Sequence, residues 1–186
     1  MLGRMERKLT NRRRLFERAL DRYGYITTDD AEELGLPRRT LLKLYERGGL
    51  QHVGHGLYRF EDIPRTPRDQ FMEAVLQAGP GAVLIGDAVL ALHDLAFVNP
   101  RRIRVATPRR VRKQLPPFLQ VERRALPANE LTEYEGIPTA TLAQAIRDCR
   151  GHVMTGRLVD AAQEAARAGL ITKREAEQLV NELTGE

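Results

Sequence analysis

Residues 27–60, TTDDAEELGLPRRTLLKLYERGGLQHVGHGLYRF, constrain the fold more tightly than any other part of the chain. Thr27 or Thr28 can cap a helix, and Asp29, Asp30, Glu32 and Glu33 suit its positive N-terminal end. Ala31 and Leu34 would face inward, and Gly35 is a natural left-handed residue to end the helix. Pro37 then fits the first position of a second helix, where its missing N–H costs nothing. That helix, residues 37–47, places Leu41, Leu44 and Tyr45 on one face, and Gly48 and Gly49 stop it. Residues 50–53 and 57–60 flank Gly54-His55-Gly56, whose glycines allow the positive φ of a tight hairpin. With the amphipathic segment 12–23 in front, the order is helix, helix, turn, helix, hairpin. This is a winged helix-turn-helix.

The second helix of the pair carries the chemistry. At about 100° per residue its outward face centres on Arg39 and Lys43, with Arg38 and Leu42 on one flank and Thr40 and Arg47 on the other. A helix that is apolar on one side and cationic on the other suits docking in the major groove. Arginine can take guanine O6 and N7 together, lysine can take a base or a phosphate, and Leu42 can meet a thymine methyl. In the hairpin, His52, His55 and Arg59 are candidates for phosphate or the minor groove. His52 and His55 have no Cys or acidic partner nearby, so no metal site is read there. A basic surface helix can also be merely solvated. What sets this one apart is the order of elements around it and the basic segment 4–14 before it. Arg12, Arg13 and Arg14 could add phosphate contacts there, raising affinity and salt dependence rather than sequence choice, or belong to a solubilising tail.

Charge distribution limits the partners. The net charge is +5 overall; by segment, residues 1–60 carry +5, residues 61–124 carry +4 and residues 125–186 carry −4. The first two thirds suit a polyanion and the last third does not. The single cysteine, Cys149, excludes an internal disulfide and a Cys-rich zinc site. No apolar run approaches a membrane span, and the basic start lacks the apolar core of a secretory signal. A cytoplasmic location fits.

Two domains are expected, residues 1–64 and 65–186, with the overall class α+β. In the second, Thr66-Pro67 with Asp69 starts a helix ended by Gly79-Pro80-Gly81. Asp87 reads as the cap of a short helix over residues 88–93. Residues 102–107, 119–123 and 137–139 read as strands. Thr141 with Gln144, and Thr172 with Glu175, read as capping boxes, and an alanine-rich helix at 157–168 belongs to a closing helical layer. Arg109, Arg110, Arg112 and Lys113 form a dense basic loop, read equally as a second nucleic-acid or acidic-partner surface and as exposed loop. No P-loop, dinucleotide fingerprint, G-x-S-x-G or H-E-x-x-H occurs, and the carboxylates Asp69, Glu73, Asp87, Asp94, Asp148 and Asp160 are scattered. No catalytic residue, metal or cofactor is assigned, and a metal-dependent nuclease is the weakest reading.

The combination of residues 27–60 with PRDQFMEAVLQAGPGAVLIGDAVLALHDL, RIRVATPRR and EYEGIPTATLAQAIRDC resembles the AbiEi family of antitoxins and transcriptional regulators. The resemblance runs over residues 10–171. It implies a winged-helix domain that binds inverted repeats in its own promoter. It also implies an α+β domain that opposes a nucleotidyltransferase-like toxin of a type IV toxin–antitoxin, phage-defence system, with no direct binding required. Leu42 departs from the basic residue expected in that register. A standalone regulator or interaction module without a toxin is the alternative.

Overall fold

The computed structural model describes residues 10–185. Internal contacts divide the chain into one unit through Asp69 and a second from Gln70 onward.

The first unit contains α1 (Asn11–Leu20), β1 (Tyr25–Thr27), α2 (Thr28–Glu33), α3 (Arg39–Glu46), β2 (Leu50–Gly54) and β3 (Leu57–Phe60). It is a winged helix-turn-helix, with a three-stranded sheet in the order β1-β3-β2. Thr27 caps α2: its hydroxyl accepts from the Asp30 N–H, and the Asp30 carboxylate accepts from the Thr27 N–H. At the other end the Leu36 N–H reaches back to the Ala31 carbonyl and the Gly35 N–H to Glu32, with Gly35 at φ +70°. This double closure turns the chain directly into α3. Leu15, Ala19, Ile26, Ala31, Leu41 and Phe60 form the core, and Phe16 meets Phe60 edge to face at 5.3 Å.

Several details differ from the sequence reading; α3 begins at Arg39, so Pro37 lies before the helix rather than in its first position. The chain after Gly24 forms β1, pairing antiparallel with β3 through Ile26 and Tyr58. Tyr45 is 44% exposed rather than buried, because it lies at the margin of the apolar stripe and packs sideways on His52 and Tyr58.

The second unit continues with α4 (Asp69–Ala78), β4 (Val83–Leu84), α5 (Asp87–Leu92), β5 (Ile103–Thr107), β6 (Leu119–Arg123), β7 (Leu131–Tyr134) and β8 (Ile137–Ala140). Then come α6 (Leu142–Asp148), α7 (Thr155–Arg167) and α8 (Lys173–Thr184). The mixed sheet runs β6-β5-β4-β8-β7, with β5/β6 and β4/β8 parallel and the other pairs antiparallel. The class is α+β. Buried Leu158, Ala161, Ala162 and Ala165 give α7 the close-packing face expected of an alanine-rich helix. Thr172 and Glu175 form a full capping box. At Thr141 only half forms, since the Gln144 amide turns to Asp148 instead.

Asp87 is not a cap. It is the first residue of α5, behind Gly86 at φ +55°, and it is half-buried. Its carboxyl is raised by burial, which outweighs the opposing pull of Arg104, 3.9 Å away. Arg104 is held in turn by Glu122 at 2.7 Å, and Arg124 meets Asp148 at 3.0 Å. The scattered carboxylates of this unit therefore include two that meet arginines rather than each other. Cys149 lies among them with no exposure, and burial, reinforced by Asp87, pushes its thiol up to about 12.

The raised value has a definite sign. The folded thiol keeps its proton past the ordinary value of 9.0, so its contribution to stability is intact below that pH and is lost as pH climbs toward about 12. At pH 8 a thiol reagent is expected to label Cys149 only as fast as the second unit opens. Mass spectrometry with and without urea checks this, and rapid labelling of the folded chain contradicts it.

Candidate nucleic-acid interface

The outward side of α3 is built by its own periodicity. Leu41 is fully buried against the first unit's core, with Thr40 and Leu44 partly covered beside it. That anchoring turns Arg39, Leu42, Lys43, Glu46 and Arg47 outward, and all five are exposed. Arg39, Lys43 and Arg47 have no carboxylate or carbonyl partner among the described residues, so three cations stand ready for an anionic ligand. Leu42, 46% exposed, adds an apolar edge. Thr40 is partly covered, and its N–H donates to the Pro37 carbonyl in the tight first turn.

Other candidates from the sequence are placed differently. Arg38 precedes the helix and is held by Glu32 at 2.6 Å and Asp29 at 3.4 Å, which raises its guanidinium value and lowers that of Glu32. It links α2 to the start of α3. Arg59 leaves the interface altogether. Its side chain is buried, donates to the carbonyls of Phe60, Ile63 and Pro64, and pairs with Asp69 at 2.9 Å. The alternation of β3 puts this arginine on the sheet face opposite Tyr58 and Phe60, and there Ile63, Pro64 and Asp69 cover it, the carboxylate taking the place of the expected phosphate.

Arg12, Arg13 and Arg14 belong to the first turns of α1, not to a free arm. Arg12 pairs with Asp62 and lies over the Phe60 ring, Arg13 pairs with Glu17, and Arg14 donates to the Leu34 carbonyl at 2.6 Å. The rest of the basic segment, residues 4–9, lies outside the described residues.

The hairpin β2–β3 divides its two histidines. His52 is exposed but stacks against Tyr58, ring centres 5.2 Å apart, and approaches Tyr45 at 6.1 Å. The imidazole thus joins the wing to α3. His55 sits at the exposed tip. Gly56, at φ +67°, is pressed so close to α2 that an added Cβ would lie 2.8 Å from the Thr28 hydroxyl, while its carbonyl accepts from the Thr28 N–H at 2.9 Å. No side chain could stand at this position unmoved.

In the second unit Arg109, Arg110 and Arg112 are exposed and Lys113 is half-buried. They follow β5 directly, and the Arg109 N–H donates to the Thr107 hydroxyl. Sequence reasoning missed Glu46. At about 100° per residue Glu46 falls between Leu42 and Arg39, within the same outward arc as Lys43, so its spacing signals it as clearly as theirs.

No helix among the described residues is long and apolar enough to cross a membrane. No curated protein matches the chain. Residues 13–60, from α1 through the end of the wing, match the family model described as transcriptional regulator, AbiEi antitoxin, so the resemblance read from the sequence holds for the winged-helix unit.

Proposed function

We propose that the protein is a sequence-specific DNA-binding repressor of antitoxin type, with α3 as its recognition helix and the wing as a flanking contact. The observation that carries this reading is the unpartnered stripe of Arg39, Lys43 and Arg47 on an element anchored by the buried Leu41. Arg39 and Lys43 read base edges, and Arg47 and His55 meet phosphate. Thr40 and Leu42 flank the reading face. Arg38 positions the helix start, and His52 braces the wing. The exposed arginines at 109, 110 and 112, with Lys113, form a second polyanion surface. The chain's role is regulatory rather than enzymatic, in the cytoplasm.

On this reading the protein binds inverted repeats upstream of its own gene, represses that operon and antagonises a nucleotidyltransferase-like toxin without a required complex. The match to the family model is confined to the first unit, which favours keeping a second reading, a standalone regulator without a toxin. Two measurements test the assignment. Binding to the upstream duplex should weaken linearly in the logarithm of salt, with the slope falling by roughly one when Arg47 is replaced by Ala. Co-expression with the neighbouring gene should restore growth if that gene is a toxin. A salt-insensitive affinity, or none for the upstream duplex, overturns the repressor reading.

A further inference from the structure

Glu46 lies on the same outward side of α3 as Arg39 and Lys43 and is exposed. In the first unit, Glu17, Asp30, Glu32, Glu33, Asp62 and Asp69 each pair with an arginine. Glu46 has no such partner among the described residues, although Lys43 and Arg47 are close in sequence. Asp21 and Glu61 share that freedom but lie off α3. Local energetics do not account for a carboxylate here. Glu46 is the last residue of the helix, where the macrodipole disfavours negative charge. A surface that docks on phosphates disfavours it as well. What does favour it is a hydrogen-bond donor on a base edge.

We propose that Glu46 is a specificity-determining residue that accepts from the exocyclic amine of a cytosine in the major groove. The inference rests on the assignment of α3 as the recognition helix and goes beyond it by fixing a base and a spacing. Arg39 and Glu46 are seven residues apart, about 10 Å along the helix at 1.5 Å per residue. With α3 lying along the groove, that distance corresponds to about three base steps of 3.4 Å. Arg39 therefore selects a guanine, and Glu46 a cytosine about three base pairs away. The carboxylate also rejects registers that would bring it against a phosphate, so it sharpens the choice of site while lowering non-specific affinity.

The test is selection of bound sites from a randomised duplex library by the full chain, comparing wild type with E46Q, E46A and R39A. The wild type should choose cytosine about three base pairs from the guanine whose selection R39A abolishes. E46Q should move that preference to adenine, because an amide pairs with adenine N6 and N7. E46A should accept any base there, with discrimination at that position falling roughly tenfold and the other positions unchanged. The amide variant is isosteric and exposed, so loss of fold does not confuse the result. Retention of the wild-type preference by both variants overturns the proposal. So does uniformly tighter binding to all sequences, which would mean that the carboxylate only repels phosphate. A wild type that selects no sequence overturns the recognition-helix assignment too, and is distinguishable because every other outcome leaves wild-type selection intact.

Discussion

Replacing Arg39 and Lys43 together by alanine should remove most of the preference for the upstream duplex while leaving weak binding to any DNA. A good base contact is worth roughly 1–3 kcal/mol, and these two residues supply the cations at the centre of the outward stripe. Both are exposed and unpartnered, so the folded unit has little to lose, and thermal unfolding should shift within a few tenths of a kcal/mol. The comparison to make is the affinity ratio between upstream and scrambled duplexes at fixed salt. Arg38→Ala makes a useful contrast. Its partners are Glu32 and Asp29, so it should cost little direct discrimination. An unchanged ratio for the Arg39/Lys43 variant would remove α3 from its assigned role.

The second large effect concerns stability. Asp69→Ala leaves the Arg59 guanidinium buried without a carboxylate, with only carbonyls and the Tyr25 ring as partners. Breaking one side of such a pair typically costs roughly 3–5 kcal/mol, because the remaining charge keeps its desolvation penalty without compensation. The same carboxylate accepts from the Thr66 N–H and hydroxyl, so its loss also releases the turn before α4. Urea unfolding should therefore show a much lower midpoint. Replacing Arg59 by Met and Asp69 by Leu together should recover the part of the loss that comes from the unpaired charge, since two apolar groups need no charge partner, but not the part from the Thr66 turn. A destabilisation below about 1 kcal/mol for Asp69→Ala would show that water compensates the guanidinium.

These two predictions mark how far local sequence rules reach. Periodicity and turn chemistry identified both helices of the motif, the Gly35 closure and the hairpin, because each depends on neighbours within a few residues. The centre of the outward stripe was legible for the same reason. Arg59 was not. Its partner is ten positions away beyond a proline-rich stretch, and no local pattern separates an arginine that seeks phosphate from one that meets an internal carboxylate. β1 was missed because three residues between two helices give no period to count. Arg104 alternates out of phase with Ile103 and Val105, which says that it faces the other side of its strand but not that Glu122 waits on the adjoining one. Asp87 was misplaced by a single position because Gly86, with its positive φ, makes the turn itself.

The contact between Gly56 and Thr28 carries a consequence for how the protein meets its ligand. A hairpin tip that floats freely must be immobilised on docking, and that ordering subtracts from affinity. Here the tip is already clasped to the first turn of the helix before α3, so on the proposed reading α3 and the wing meet DNA as one preset calliper. Sequence preference should therefore be expressed as much through the groove width the calliper accepts as through the bases that its jaws touch.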